Sequence, residues 1–124
     1  MNNQIDENAV MEVIQNYING TYSADIALLK SVFHEKAVMN GYIGSSLLMS
    51  DPSPFIDDIA SSPSMKAKND PYNVEIISIS REGNVASAIV RETGFRGDTT
   101  LVSFFHLINT DGELRIISKL FTTV

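Results

Sequence analysis

The sequence has no cysteine. That absence excludes disulfides, thiol nucleophiles and thiolate metal sites. Histidine is nearly as scarce. His34 and His106 are the two in the chain, and they lack the close spacing of a zinc site, so no metal is expected. No Gly-x-Gly-x-x-Gly, Walker-type or Gly-x-Ser-x-Gly stretch occurs. The usual phosphate cradles and the nucleophile elbow are therefore missing, and no cofactor is expected. Basic residues are few: nine Lys and Arg stand against fifteen Asp and Glu, a formal charge of −6. The nine are scattered and form no basic stripe. Nucleic acid and anionic membrane are polyanions, so neither is an expected partner. No apolar run approaches the roughly 18 residues that cross a bilayer. The opening stretch MNNQIDENAV lacks the basic and apolar regions of a secretory signal, which makes the cytoplasm the expected location.

What is present suits one folded unit. The 124 residues, 44% apolar and 19% charged, are enough for a single domain over 1–124 with a real core. The first half carries helical spacing. Ala9, Val10, Val13, Ile14, Tyr17 and Ile18 fall on one stripe, and Asn19-Gly20 reads as its stop. A second helix opens near Ser23 and buries Leu28, Leu29, Val32 and Phe33. The chain is extended from Ala37 to Tyr42, and 44–54 reads as a loop. Asp51-Pro52 then starts a short third helix over about Pro52–Ala60, which would bury Phe55, Ile56 and Ile59. The second half carries strands at about 72–80, 84–93, 99–109 and 114–123, separated by Gly-containing turns at hairpin spacing.

The late strands are apolar on both faces. Leu101, Phe105 and Leu107 alternate with Val102, Phe104 and Ile108; Leu114, Ile116 and Leu120 alternate with Ile117 and Phe121. Three helices cover one face of a sheet. A second copy of the same sheet is the simplest cover for the other. The expectation is a homodimer through the outer sheet face, burying about 1,200–2,000 Å² in total.

Three N-terminal helices followed by a curved, mostly antiparallel sheet make an α+β arrangement. With the stretches D-IALLKSVF-HEKAVM and DGELRIISKLF, the chain resembles the nuclear transport factor 2-like superfamily, whose cystatin-like fold is a cone with a pocket at its open end. Within it, the sequence is similar to the set called "putative lumazine-binding" proteins, beside the SnoaL-like polyketide cyclases and the ketosteroid isomerases. The resemblance implies an apolar pocket for a small molecule. Tyr17, Asp25 and Phe33 keep the isomerase spacing, so Tyr17 is similar to the tyrosine that donates to an enolate oxygen. The isomerase base would fall at Gly41-Tyr42, where no carboxylate stands. The second acid would fall near Val102 and Ser103, and it too is missing. The catalytic set is therefore incomplete.

Two readings of Tyr17 and His106 remain open. As a catalytic pair, Tyr17 would be the oxyanion donor and His106 the base of a cyclase or isomerase. As binding residues, they would join Tyr42, Phe55 and Phe95 around an apolar or heteroaromatic ligand. A third reading gives the dimer face the only function. Core packing for Tyr17 and a satisfied interface role for His106 are the plainer alternatives. Lys119 and Arg115 could hold a ligand anion, and paired surface or interface charges are the plainer reading. Asp57-Asp58 reads as a solvated face.

Overall fold

The structure is a computed structural model, and residues 5–124 are described here. Helix α1, Glu7–Ser23, starts where the Asp6 carboxylate accepts from the Asn8 amide. It buries Val10, Ile14 and Tyr17 and runs straight through Asn19-Gly20. The expected stop at Gly20 is not used, because Gly20 serves packing. A Cβ there would stand 3.2 Å from Leu29, so the missing side chain lets the second helix approach closely. The helix ends instead at Ala24, a left-handed residue with φ 55°.

Helix α2, Ile26–Val32, is capped by Asp25, whose side chain accepts from the Leu28 amide, rather than by Ser23. Strand β1, Phe33–Ile43, follows at once. A turn at Gly44 (φ 58°) leads into β2, Ser46–Ser50, inside the segment expected to be a loop. Every residue of β2 is exposed, so no burial alternation marked it in the sequence. Helix α3, Ser53–Ala60, sits as expected: Asp51 accepts from the Ser53 amide, and Ile56 and Ile59 are buried.

Strands β3 (Asn73–Glu82), β4 (Val85–Phe95), β5 (Thr99–Thr110) and β6 (Glu113–Thr123) complete the molecule. The Asp111-Gly112 turn has positive φ at both residues, which is the backbone a two-residue hairpin requires. One six-stranded sheet results, in the order β2-β1-β6-β5-β4-β3, antiparallel throughout except for the parallel β1–β6 pair. The helices lie on one face. The main core between them contains Val10, Ile14, Leu29, Phe105, Leu107 and Ile116.

The strand pairings shift register at four places, and two of these bulges bear on the site. In β6 the register skips at Ile117: His106 pairs with Ser118 and Leu107 with Ile116. Ile116, Lys119 and Phe121 all become buried, while Leu120 is exposed. Strict alternation would have put Ile116 and Lys119 on opposite faces. In β4 the register skips between Glu92 and Phe95, which pair with Leu101 and Thr99. Gly94 (φ +66°) makes that skip possible, since a Cβ there would lie 2.1 Å from the Pro71 carbonyl oxygen. No helix of the described residues is long and apolar enough to cross a membrane.

Candidate functional site

Beyond the main core, at the end of the sheet near β2 and α3, Met39, Leu101 and Phe121 form a second, smaller apolar cluster with Phe55 and Phe95 packed on it. A pocket of about 300 Å³ opens there. Its walls come from Met39, Ile43 and Leu48, from Phe55 and Phe95, and from Leu101 and Phe121; its rim carries Asp51 and Asp58; and Lys119 reaches it from β6. The Arg96 guanidinium donates to Asp58 at 2.6 Å and so ties up one rim carboxylate. The volume equals that of about ten liquid waters, which suits a molecule of one or two rings.

Between the pocket and the main core lies a seam of buried polar groups. Lys119 is 2% exposed, and Glu92 and Tyr17 are fully buried. Lys119 Nζ donates to the Tyr17 hydroxyl oxygen at 2.7 Å. The Tyr17 hydroxyl in turn donates to Glu92, at 3.2 and 3.3 Å from its two oxygens. Tyr72 donates to the same carboxylate at 2.5 Å, and the buried Ser103 hydroxyl at 3.4 Å. Three hydroxyls thus replace the water that Glu92 lost on burial. Lys119 makes no direct ion pair among the described residues. Its ammonium stands over three aromatic faces instead: Phe55 at 4.8 Å, Tyr17 at 5.0 Å and Phe121 at 5.2 Å. Such faces attract a cation, most strongly where water is excluded.

These surroundings move the titrations. Burial lowers the Lys119 pKa from the usual lysine value, and the charge of Glu92 pulls it partly back. Burial raises the Tyr17 pKa well above the phenol value, with the charge of Glu92 and the hydrogen bond to it adding in the same direction. Tyr72 is raised for the same leading reason, with Glu92 next.

The residues expected from the sequence separate into two groups. Phe55 and Phe95 line the pocket. Tyr17 lies beneath it, stacked near Phe55 at 6.3 Å and edge-on to Phe33 and Phe105. Tyr42 and His106 are on the other side of the sheet. Tyr42 is exposed and borders a shallow outer groove with Leu47, Phe104 and Leu120. His106 is exposed between the buried Phe105 and Leu107, because alternate residues of β5 point outward. Tyr17 and His106 therefore do not share a cavity. The reading of Lys119 as a surface or interface charge is corrected by its burial.

Gly41 has its own explanation. A Cβ at that position would sit 2.0 Å from the Phe121 carbonyl oxygen, so the site of the expected base has no room for any side chain. A carboxyl group does reach Tyr17, but from Glu92 on β4 rather than from the region of Val102 and Ser103. Sequence reasoning missed Glu92 and Tyr72, and it weighed Lys119 only as an anion holder or a surface charge. The one available signal for Glu92 was parity: it shares the strand face of Ala86, Ala88 and Val90, all buried.

Solved structures share this architecture. An NTF2-like protein of unknown function from Methylobacillus flagellatus KT is 23% identical, with a TM-score of 0.85 over 100% of this chain and 98% of that one. An NTF2-like protein from Silicibacter pomeroyi DSS-3 is 22% identical, with a TM-score of 0.83 over 94% and 93%. A cystatin-like fold protein from Burkholderia xenovorans LB400 is 8% identical, with a TM-score of 0.70 over 94% and 89%. At these identities the likeness is one of fold. No curated protein matches the chain. The profile of the family described as "Putative lumazine-binding" matches residues 5–122. The chain belongs to that family, and its α+β fold is the one shared by these NTF2-like and cystatin-like structures.

Proposed function

We propose that the protein binds a small, mostly apolar ring molecule that bears a carbonyl-type oxygen, in the pocket between β1, β2, α3 and the β4–β5 hairpin. The observation that carries this reading is Lys119. An ammonium has three N–H donors, and among the described residues only one finds an acceptor, the Tyr17 hydroxyl. The rest of the group faces aromatic rings and an apolar hollow. A ligand oxygen would complete its hydrogen bonding, and the Phe55 and Phe95 rings would hold a flat ligand by contact. Isothermal titration with a panel of flat ketones and heteroaromatic lactams tests this. At least one member should bind and raise the melting temperature. Leu48→Trp, which plugs the mouth, should abolish both effects. A panel without a binder would refute the reading. Cyclase or isomerase chemistry through Tyr17 and His106 has no shared cavity to support it.

The same reading includes a second copy on the outer sheet face. Val38, Tyr42, Leu47, Met49, Phe104 and Leu120 leave 43–73% of their surface exposed there, and an apolar groove runs between several of them. Contiguous exposure of this kind marks an interaction surface. A self-complementary sheet face gives a closed pair, as a two-fold interface requires. Sedimentation equilibrium should report a dimer that Phe104→Glu dissociates; a monomer at every concentration would refute it.

A further inference from the structure

We infer that Lys119 is a covalent ligand-capturing residue, which forms a reversible imine with an aldehyde or ketone held in the pocket. The inference rests on the binding reading above and deepens it. Three observations converge on this one side chain. Lys119 is the only buried lysine among the described residues, while Lys30, Lys36, Lys66 and Lys68 are exposed. Its amino group borders a pocket whose walls are otherwise mainly aromatic and aliphatic. It is also joined to a proton acceptor by hydrogen bonds that run in one direction, from Lys119 to Tyr17 and from Tyr17 to Glu92.

A lysine placed only for structure would be expected to satisfy its donors, because a buried, underbonded ammonium is costly. An amine required to react needs the opposite: desolvation, a free approach on one side and a route for its proton. The direction of the bonds supplies that route. The ammonium gives one proton to the Tyr17 oxygen as the Tyr17 hydroxyl proton passes to Glu92, and the amine is left neutral. Its lone pair then forms the C–N bond while the carbonyl π pair moves to oxygen. A proton shifts from nitrogen to that oxygen, giving a carbinolamine. The proton parked on Glu92 returns through Tyr17 to the carbinolamine hydroxyl, the C–O bond breaks, and water leaves as the nitrogen lone pair closes the C=N bond. The sum is ammonium plus carbonyl giving iminium plus water, with no oxidant or reductant consumed. Burial lowers the Lys119 pKa, which favours the first step. The three rings around Nζ would hold the iminium charge as they hold the ammonium.

The experiment uses benzaldehyde as the carbonyl probe and toluene as its carbonyl-free analogue, on the whole protein. Sodium cyanoborohydride at neutral pH converts any imine to a stable benzylamine. Intact mass and peptide mapping then locate it, and titration calorimetry follows toluene. The expected result is one benzyl group, on Lys119, added faster than on the four exposed lysines. Lys119→Arg keeps the positive charge but cannot form the imine, and Lys119→Met replaces the amine with an apolar chain; both should lose the fast adduct. Labelling confined to exposed lysines would overturn the imine. If toluene still binds in that case, the pocket reading stands without it. If toluene and the carbonyl panel above all fail to bind, the pocket reading falls as well.

Discussion

The two ends of the interior are built on opposite rules. Under α1 and α2 the sheet contributes Phe105, Leu107 and Ile116 to a core that also holds Val10, Ile14 and Leu29, all nearly inaccessible and all apolar. Toward β2 and α3 the same sheet buries Glu92, Ser103 and Lys119. The first end gains free energy from every side chain it hides. The second gives some of that back, because a charge taken out of water is rarely repaid in full by its partners. Tyr17 stands at the boundary. Its ring contacts Phe105 and Phe33 of the main core, and its hydroxyl belongs to the polar seam. The contrast teaches that the fold needs only the apolar end. The polar seam, lying against a pocket, is where function would have placed an arrangement that stability alone would not select.

That contrast can be broken by substitution. Phe105→Ala removes a fully buried ring and should lower stability by about 3–5 kcal/mol in urea unfolding. A loss below about 1 kcal/mol would mean that this end is not the stabilising one. Glu92→Ala takes away the acceptor of three hydroxyls and leaves Lys119 without a countercharge. It should cost about 3 kcal/mol, of the kind seen when one member of a buried pair is deleted.

The pH dependence sharpens the comparison further. Tyr17 and Tyr72 have pKa values raised in the folded protein. Above the unfolded value of about 10 the unfolded chain loses phenol protons that the folded chain keeps, so the folded state binds more protons and stability falls as pH rises. Lys119 has the opposite sign. Its lowered pKa means the unfolded chain binds more protons between that lowered value and about 10.4, so its contribution to stability rises with pH across that window. Tyr17→Phe should flatten the alkaline fall, measured as melting temperature between neutral pH and pH ~11. The smallest effect is expected at His106. It lies on the outer face, so His106→Ala should leave ligand affinity in the pocket unchanged in titration calorimetry.

Much of the frame was legible in the sequence. The apolar stripe of α1, the Asp51-Pro52 start of α3 and the Asp111-Gly112 turn each follow from local chemistry that tertiary contacts did not override. Gly20 was misread because its role is contact with Leu29, a distant residue, and not a local backbone need. The site was less legible for one physical reason. A period-two reading assumes an unbroken pleat, and the bulges at Ile117 and beside Gly94 change the phase within β6 and β4. Lys119 and Phe95 were therefore assigned by the wrong rule or by none, although Phe55 and Phe95 did fall at the pocket. Tyr42 and His106 were chosen for their chemistry before their face was known, and alternation along intact stretches of β1 and β5 carries them outward.

The central claim is that the Lys119–Tyr17–Glu92 seam serves the pocket and not the fold. Its most direct test is the double variant Lys119→Met with Glu92→Gln, followed by urea unfolding and by titration with the best binder of the carbonyl panel. Replacing both charges together should leave stability within about 1 kcal/mol of the parent or raise it by as much as ~4 kcal/mol, as joint removal of buried opposite charges has done, while binding is lost. A double variant that unfolds several kcal/mol more easily, yet still binds the carbonyl compound as the parent does, would contradict the account.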